Sequence, residues 1–264
     1  MIDKRAIGIF DSGVGGLTVL KEIEKVLPSE NLIYFGDNLR APYGSRDPEE
    51  ISKFCLNIAK FLESLDIKFL VIACNTATVV CLKELQEKIS VPIIGVIAYG
   101  TREALELTKV KKIGVLSTPL TANVDAYKNE AKKINSEVEV YQIGCGPLVP
   151  MIEFGWEDTE GNQELIKSYI KKLPTEIDVV IFGCTHYPII EEYFMKELKG
   201  KKIVNPAKET ALEVKKSLKK LKLLNKRDSK GKVSFYTSGN TNKFKQLAEK
   251  ILGRPIEQIK EALN

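Results

Sequence analysis

The sequence predicts an α/β protein built from a duplicated unit, in which each half is a parallel-dominated sheet flanked by helices. Three observations predict this fold. Apolar segments of strand length alternate with segments in which apolar residues recur at helical spacing. The order of these segments starts again near residue 113, and a cysteine follows an equivalent strand in each half. Such alternation is typical of parallel sheets that helices cover on both faces.

The first half of the chain contains four predicted strands, at residues 6–10, 32–36, 67–73 and 92–96. Between them, apolar residues at near-helical spacing predict three helices, over about residues 17–28, 51–61 and 74–89. A polar turn with three glycines, at residues 11–16, separates the first strand from the first helix.

The second half repeats this order. Residues 113–118 resemble residues 7–12, and further strands are predicted at 138–143, 177–183 and 203–206. Any two α/β units look alike at this level of detail, so the strands alone leave the duplication open. Cys74 and Cys184, which end equivalent strands, favour it.

The chain after residue 207 has no counterpart in the first half. It contains a lysine-rich helical segment, a strand at 233–236, a turn at 237–240 and a helix that begins near Asn242. We expect this tail to pack against the first half. We expect its lysines to form a solvated helix face rather than an interaction patch.

The composition indicates a globular protein without a nucleic-acid or membrane partner. The chain has 264 residues, of which 44% are hydrophobic and 28% charged, and 40 basic against 35 acidic residues give a net charge of +5. This excess is small for a nucleic-acid-binding surface. No apolar run reaches the roughly 18 to 20 residues of a membrane helix, and the N-terminus shows no signal-peptide pattern.

The five cysteines, at positions 55, 74, 81, 145 and 184, include no Cys-x-x-Cys pair. We therefore expect neither a metal site nor a redox dithiol. Reduced thiols fit a cytoplasmic location best.

Polar side chains follow the predicted strands. Because ligands of open parallel sheets bind beyond the carboxyl ends of the strands, these side chains are candidates for a site. They are Asp11, Ser12, Tyr43, Cys74, Asn75, Thr76, Ser117, Thr118, Cys184, Thr185 and His186, the last being the only histidine of the chain.

Cys74 and Cys184 each precede a predicted helix start, where Asn75 or Thr76 could cap the first helix and Thr185 the second. The positive end of a helix favours a thiolate, so we expect both thiols to be activated. The other three cysteines lack this setting and are interpreted as packing residues. A small buried apolar residue is the alternative for either cysteine alone, but two at equivalent positions favour a reactive pair.

Two such thiols could serve several chemistries. A disulfide is disfavoured in the cytosol, and a Cys-x₅-Arg phosphatase loop is excluded because Val80 and Ile190 occupy the arginine positions. A nucleophile and its base are a second possibility, but that chemistry does not require equivalent cysteines in both halves. Proton transfer at one carbon from both faces uses that symmetry. One thiolate removes a proton and the opposing thiol delivers another, which inverts the stereocentre.

The glycine-rich turn at residues 13–16 does not match a dinucleotide-binding fingerprint, and no P-loop motif is present. Its glycines either let backbone amides approach a small anion or simply form the tight turn. The sequence leaves both interpretations open.

Four motifs together resemble the cofactor-independent aspartate/glutamate racemase superfamily, and specifically its glutamate-specific members. They are residues 11–17 (DSGVGGL), 41–44 (APYG), 73–77 (ACNTA) and 183–188 (GCTHYP). The resemblance implies two pseudo-symmetric α/β domains with the active site in the cleft between them. One domain would comprise residues 1–97 and 208–264, and the other residues 98–207.

The resemblance also implies catalytic roles. Cys74 and Cys184 would be the acid–base pair, with Cys74 acting on D-glutamate and Cys184 on L-glutamate. Asp11 would assist Cys74, whereas His186, together with Glu153, would assist Cys184.

Substrate-binding roles are implied for a further set of residues. Asp11 and Ser12 would hold the substrate ammonium, and the backbone of Tyr43 and Gly44 would take the side-chain carboxylate. The α-amino acid head would be bound by Asn75, Thr76, Thr118, Thr121 and Thr185, with His186 beside them.

The implied function is that of an isomerase that interconverts L- and D-glutamate without a cofactor. The product D-glutamate would supply peptidoglycan synthesis in the cytoplasm, and the enzyme would be a homodimer. An aspartate or hydantoin racemase on the same scaffold is one alternative. A non-catalytic ligand-binding protein is another, although mere binding has no need of two activated thiols.

Overall fold

The computed structural model describes residues 3–225 and 227–263, which form two parallel sheets flanked by helices. The strands are β1 (Ala6–Asp11), β2 (Leu32–Gly36), β3 (Ile67–Ile72), β4 (Ile93–Gly95), β5 (Lys112–Ser117), β6 (Glu139–Gly144), β7 (Val179–Gly183), β8 (Lys202–Val204), β9 (Val233–Thr237) and β10 (Ile259–Glu261). The helices are α1 (Leu17–Val26), α2 (Pro48–Ser64), α3 (Asn75–Lys88), α4 (Ile97–Leu107), α5 (Pro119–Asn123), α6 (Ala126–Ile134), α7 (Leu148–Glu153), α8 (Glu160–Ile170), α9 (Glu191–Glu197), α10 (Pro206–Lys220) and α11 (Thr241–Leu252). None of the helices within these ranges has both the length and the apolar character that crossing a membrane requires.

The two sheets share one strand order, which confirms the predicted duplication. The first sheet contains β2-β1-β3-β4 and the second contains β6-β5-β7-β8, with parallel pairing throughout. The first sheet is extended by β9, which pairs with β2, and by β10 at its edge. The tail therefore returns to the first half, as expected from the sequence.

The central strands are buried on both faces because helices cover both sides of each sheet. All residues of β3 and β7 are buried, and their sequences IKFLVI and VVIFG are mostly apolar. One continuous apolar cluster joins the two sheets, since it contains Ile7 of β1, Ile113 of β5 and Val214 of α10. Helix α10 packs against both α1 and α4, so it ties the two halves together.

The chain passes between the sheets at two nearby points. It leaves the first sheet between β4 and α4, and it returns between β8 and α10. This assignment of strands supports the domain ranges 1–97 with 208–264 and 98–207, which stay a prediction. Residues 1, 2, 226 and 264 of those ranges lie outside the described residues.

The helices of the second half were largely absent from the sequence prediction. Helices α5, α7 and α9 have only five to seven residues, so too few apolar positions repeat within them to show a helical period. The strand predicted at 177–183 begins two residues later, at Val179, and β10 was not predicted.

Candidate active site

The predicted site residues meet at the carboxyl ends of β1, β3, β5 and β7. Asp11 ends β1, Cys74 follows β3, Thr118 follows β5 and Cys184 follows β7. All four side chains are buried, so the site lies between the two halves and out of bulk water. The parallel strands bring them together because they all end at the same edge of their sheets.

Cys74 is itself the N-cap of α3, and the prediction that Asn75 or Thr76 caps this helix is wrong. The Cys74 Sγ accepts from the backbone N–H of Ala77 at 3.4 Å and lies 3.7 Å from the Ser12 Oγ. Burial raises the pKa of Cys74, and the negative charge of Asp11 raises it further, whereas these two hydrogen bonds act in the opposite direction. The expected stabilisation of the thiolate by the helix end is therefore outweighed at Cys74.

Cys184 lies beside a histidine–carboxylate pair. Its Sγ is 3.7 Å from the Nδ1 of His186, whose Nε2 is 2.8 Å from the Oε1 of Glu153. Burial by itself lowers the pKa of His186, but the contacts with Cys184 and Glu153 outweigh it and hold this pKa well above its usual value. Burial raises the pKa of Glu153, and its contacts with His186 reverse that effect, so the pKa is lowered overall. The raised pKa of His186 and the lowered pKa of Glu153 both favour an imidazolium paired with a carboxylate near neutral pH.

The chain after Cys184 differs from the predicted helix start. A short 3-10 helix, Tyr187–Ile190, comes first, and α9 begins only at Glu191. Thr185 does not cap a helix. Its hydroxyl donates to the Asp11 Oδ2 at 3.0 Å, so it joins the ends of β7 and β1.

Asp11 connects the two thiol environments. Its Oδ1 accepts from the backbone N–H of Gly13 at 2.9 Å, and burial raises its pKa. Its charge acts on Cys74, and a charge on Cys184 also raises the pKa of Cys74. Ser12, which follows Asp11, contacts Cys74, and Thr185, which follows Cys184, donates to Asp11, so the two thiols belong to one site.

The glycine-rich turn accommodates the protein's own acidic and basic side chains. A Cβ at Gly13 would lie 2.0 Å from the Glu153 Oε1, and a Cβ at Gly15 would lie 2.4 Å from the His186 Nδ1. The backbone N–H of Val14 donates to the same Glu153 oxygen at 2.9 Å. An amide of this turn therefore approaches an anion, but the anion is the protein's own Glu153 carboxylate rather than a small ligand.

Three threonines join the two halves next to Cys74. The Thr76 Oγ1 lies 2.9 Å from the Thr118 Oγ1 and 3.3 Å from the Thr121 Oγ1, and Thr118 donates to Thr121 at 3.0 Å. These hydroxyls, all expected from the resemblance, form a polar cluster between the start of α3 and the start of α5.

Tyr43 and Gly44 lie in the 3-10 helix that follows the cis peptide bond before Pro42. The Tyr43 hydroxyl donates to the buried carboxylate of Asp37, which also accepts from Arg40 at 2.9 Å and from Ser238 at 2.6 Å. The backbone of Gly44 packs against the Thr118 side chain. Asp37 directly follows the strand predicted at 32–36, and the sequence did not show that it holds this turn.

Tyr127 is a second residue that sequence reasoning missed. Its hydroxyl donates to the Asn75 Oδ1 at 2.6 Å, and its side chain is fully buried between the two halves. It belongs to α6, a helix that the sequence did not predict, and no local pattern distinguishes it from a core tyrosine.

Comparisons with known proteins agree with this geometry. The family model described as Asp/Glu/Hydantoin racemase matches residues 7–214. The glutamate racemase of Fusobacterium nucleatum is 43% identical over 252 residues, which cover 95% of this chain and 95% of that protein. The crystal structure of a glutamate racemase isoform from Bacillus anthracis is 39% identical with a TM-score of 0.94, and the match covers 99% of this chain and 98% of that one. The structure of the glutamate racemase of Francisella tularensis in complex with D-glutamate is 36% identical with a TM-score of 0.92, covering 100% and 98% of the two chains.

Proposed function

This chain belongs to the Asp/Glu/hydantoin racemase family, and we propose from that premise that it interconverts L- and D-glutamate by acid–base chemistry between Cys74 and Cys184. One observation carries the proposal. Two buried cysteines follow equivalent strands of a duplicated fold, and Asp11 and Ser12 link their surroundings, since Ser12 contacts Cys74 and Asp11 accepts from Thr185 beside Cys184. The glutamate racemases that match nearly the whole chain support glutamate as the substrate.

The reaction needs one base and one acid on opposite faces of Cα. The Cys184 thiolate removes the α-proton of L-glutamate, and the Cys74 thiol donates a proton to the other face, which gives D-glutamate. The reverse reaction exchanges the two roles. One proton leaves the carbon and one arrives, so the reaction is redox-neutral. The resemblance to cofactor-independent racemases supports catalysis without pyridoxal phosphate.

The two thiols are prepared for these roles by different neighbours. The His186 imidazolium lies 3.7 Å from Cys184 and stabilises its thiolate. Cys74 has no such cation beside it, and the Asp11 charge disfavours its ionisation. An ammonium group bound at Asp11 neutralises that charge, so binding of the substrate lowers the cost of forming the Cys74 thiolate.

The polar side chains around the thiols would bind the substrate. Asp11 and Ser12 hold the ammonium group, and the backbone of Tyr43 and Gly44 takes the side-chain carboxylate. The residues that bind the α-carboxylate end are Asn75, Thr76, Thr118, Thr121 and Thr185, whose hydroxyls and amide already lie together at the strand ends. Their burial keeps water away from the carbanion-like intermediate.

We further propose that the enzyme is a cytoplasmic homodimer whose D-glutamate supplies peptidoglycan synthesis. The resemblance to glutamate racemases supports these statements. Sedimentation of the purified protein tests the dimer.

Isotope exchange tests the reaction. In deuterated water and without added pyridoxal phosphate, the purified protein should incorporate deuterium at Cα of either glutamate enantiomer while it racemises it. Cys74→Ala and Cys184→Ala should each abolish racemisation. Cys81→Ala and Cys145→Ala, which replace buried cysteines outside the proposed chemistry, should remain active and serve as matched controls.

Full racemase activity in either of the first two variants would overturn the two-thiol mechanism. Binding of glutamate without any exchange at Cα would instead indicate a ligand-binding protein. Faster turnover of aspartate than of glutamate in a substrate panel would overturn the assignment of the substrate.

A further inference from the structure

Tyr127 lies beside the proposed active site but has no role in the proposed proton transfer. It comes from the second half of the chain, in the first turn of α6, but its hydroxyl donates to Asn75, which directly follows Cys74 in the first half. The 2.6 Å distance and the full burial of the ring mark a hydrogen bond that is shielded from water.

The placement of Tyr127 is fixed by further contacts. Its backbone N–H donates to the Gln142 Oε1 of β6 at 3.0 Å, and Gln142 also donates to Asp125 at 3.0 Å, just before α6. One edge of the ring packs closely against Gly183, because a Cβ at that glycine would lie 3.0 Å from the Tyr127 Cε2. Tyr127 therefore lies between Asn75, next to Cys74, and Gly183, next to Cys184.

The hydrogen bond determines which end of the Asn75 amide is available to a ligand. An asparagine side chain has one end that accepts and one that donates two hydrogens. Because Tyr127 donates to the Oδ1, the NH₂ end remains for other partners. A carboxylate accepts hydrogen bonds, so this orientation favours it, whereas the flipped amide would present an oxygen and repel it.

We propose that Tyr127 is a positioning residue for the racemisation reaction, which orients the Asn75 amide so that its NH₂ group binds the substrate α-carboxylate. The inference rests on the proposed function, in which Asn75 binds the head of the amino acid. Tyr127 acts through Asn75 and makes the α-carboxylate site depend on a contact between the two halves. The hydroxyl serves both enantiomers equally, because the carboxylate stays in place while Cα inverts.

A double-mutant cycle tests this role in the full-length protein. Tyr127→Phe keeps the buried ring and removes only the hydroxyl, and we expect it to raise KM for both glutamate enantiomers about tenfold, with a smaller change in kcat. Asn75→Ala should raise KM at least as much. In the double variant, the Tyr127 substitution should add almost nothing to the effect of Asn75→Ala, because its partner is already absent.

The matched control is Tyr141→Phe, which removes an exposed hydroxyl that donates to Glu139 in the same half of the chain. It should leave KM and kcat unchanged. Calorimetric titration with D-glutamate, with each variant placed on the inactive Cys184→Ala background, measures the same cycle in Kd independently of turnover. Unchanged KM and Kd in Tyr127→Phe, or effects that multiply in the double variant, would overturn the positioning role.

The two proposals fail in different ways. If the variants show the expected cycle in Kd for D-glutamate but the wild-type protein does not exchange the Cα proton, the racemase function is overturned and the orientation of Asn75 is upheld. A protein that racemises glutamate without coupling between Tyr127 and Asn75 would overturn the inference alone.

Discussion

The surroundings of Cys74 and of Cys184 differ although the two residues hold equivalent places in the duplicated fold. Cys74 caps a full helix, α3, and lies beside Ser12 and within the field of Asp11. Cys184 precedes a 3-10 turn and contacts the imidazolium of His186. The duplicated fold therefore places one thiol at the equivalent strand end of each half, with an acidic neighbour beside Cys74 and a basic neighbour beside Cys184.

This difference has a chemical consequence. In the proposed mechanism, a cation beside Cys184 stabilises its thiolate directly, whereas Cys74 depends on the charge of a substrate bound at Asp11. The two enantiomers would then meet different bases, although the equilibrium constant of their interconversion is one. Substitutions at Asp11, His186 and Glu153 should affect the two thiols differently, with the largest effect at Asp11 and the smallest at Glu153.

Asp11→Asn should have the largest effect. The carboxamide keeps the shape but removes the charge that holds the substrate ammonium beside Cys74, so we expect kcat/KM to fall about 10³-fold. The step at Cys74 then limits the rate. With glutamate deuterated at Cα, the primary isotope effect should become large for the D-enantiomer and small for the L-enantiomer. Equal isotope effects for both would contradict the assignment of Asp11 to Cys74.

His186→Asn should reverse the pattern of isotope effects between the two enantiomers, with a smaller loss of activity than in Asp11→Asn. Removal of the imidazolium leaves Cys184 without its stabilising cation, and we expect kcat to fall about 10²-fold. The large isotope effect should now appear with deuterated L-glutamate and the small one with the D-enantiomer. The same pattern as in Asp11→Asn would show that the two neighbours do not act on separate thiols.

Glu153→Gln should have the smallest effect on rate and a clear effect on pH dependence. The raised pKa of His186 means that the ion pair stabilises the fold fully below the unfolded pKa of 6.5 and loses this contribution as pH rises through the folded pKa. The lowered pKa of Glu153 means that its contribution is present above the unfolded pKa of 4.5 and is lost as pH falls through the folded pKa.

In Glu153→Gln the pKa of His186 should fall, so the alkaline loss of stability should begin at a lower pH. The acid-side loss that arises from Glu153 should disappear. Urea unfolding across the pH range measures both the acid-side and the alkaline loss of stability. Near neutral pH we expect the free energy of unfolding to fall by about 1–3 kcal/mol. A variant with the same pH profile as the wild type would show that the pair with His186 does not hold the charged imidazole.

Much of this structure could be predicted from the sequence because its strands are long and apolar. The strand order, the return of the tail and the pair Cys74 and Cys184 follow from such segments and from the residues directly after them. The pKa of Cys74 could not be predicted, because it depends on burial and on Asp11, which is distant in sequence.

The contacts of Tyr127 and Asp37 also could not be predicted from the sequence. Tyr127 lies on a helix that the sequence did not show, and its partner Asn75 is 52 positions away in the chain. Asp37 bonds to Ser238 of the returning tail, a contact that only the three-dimensional packing creates. Contacts between residues that are far apart in the chain carry no local signal.

The structure of the protein with bound D-glutamate tests the central claim most directly. If Cys74 and Cys184 act on one carbon from opposite sides, their sulfurs should flank Cα roughly 6 to 8 Å apart, each at about proton-transfer distance from it. Two sulfurs on the same face of Cα, or one of them beyond reach of it, would contradict the two-thiol mechanism.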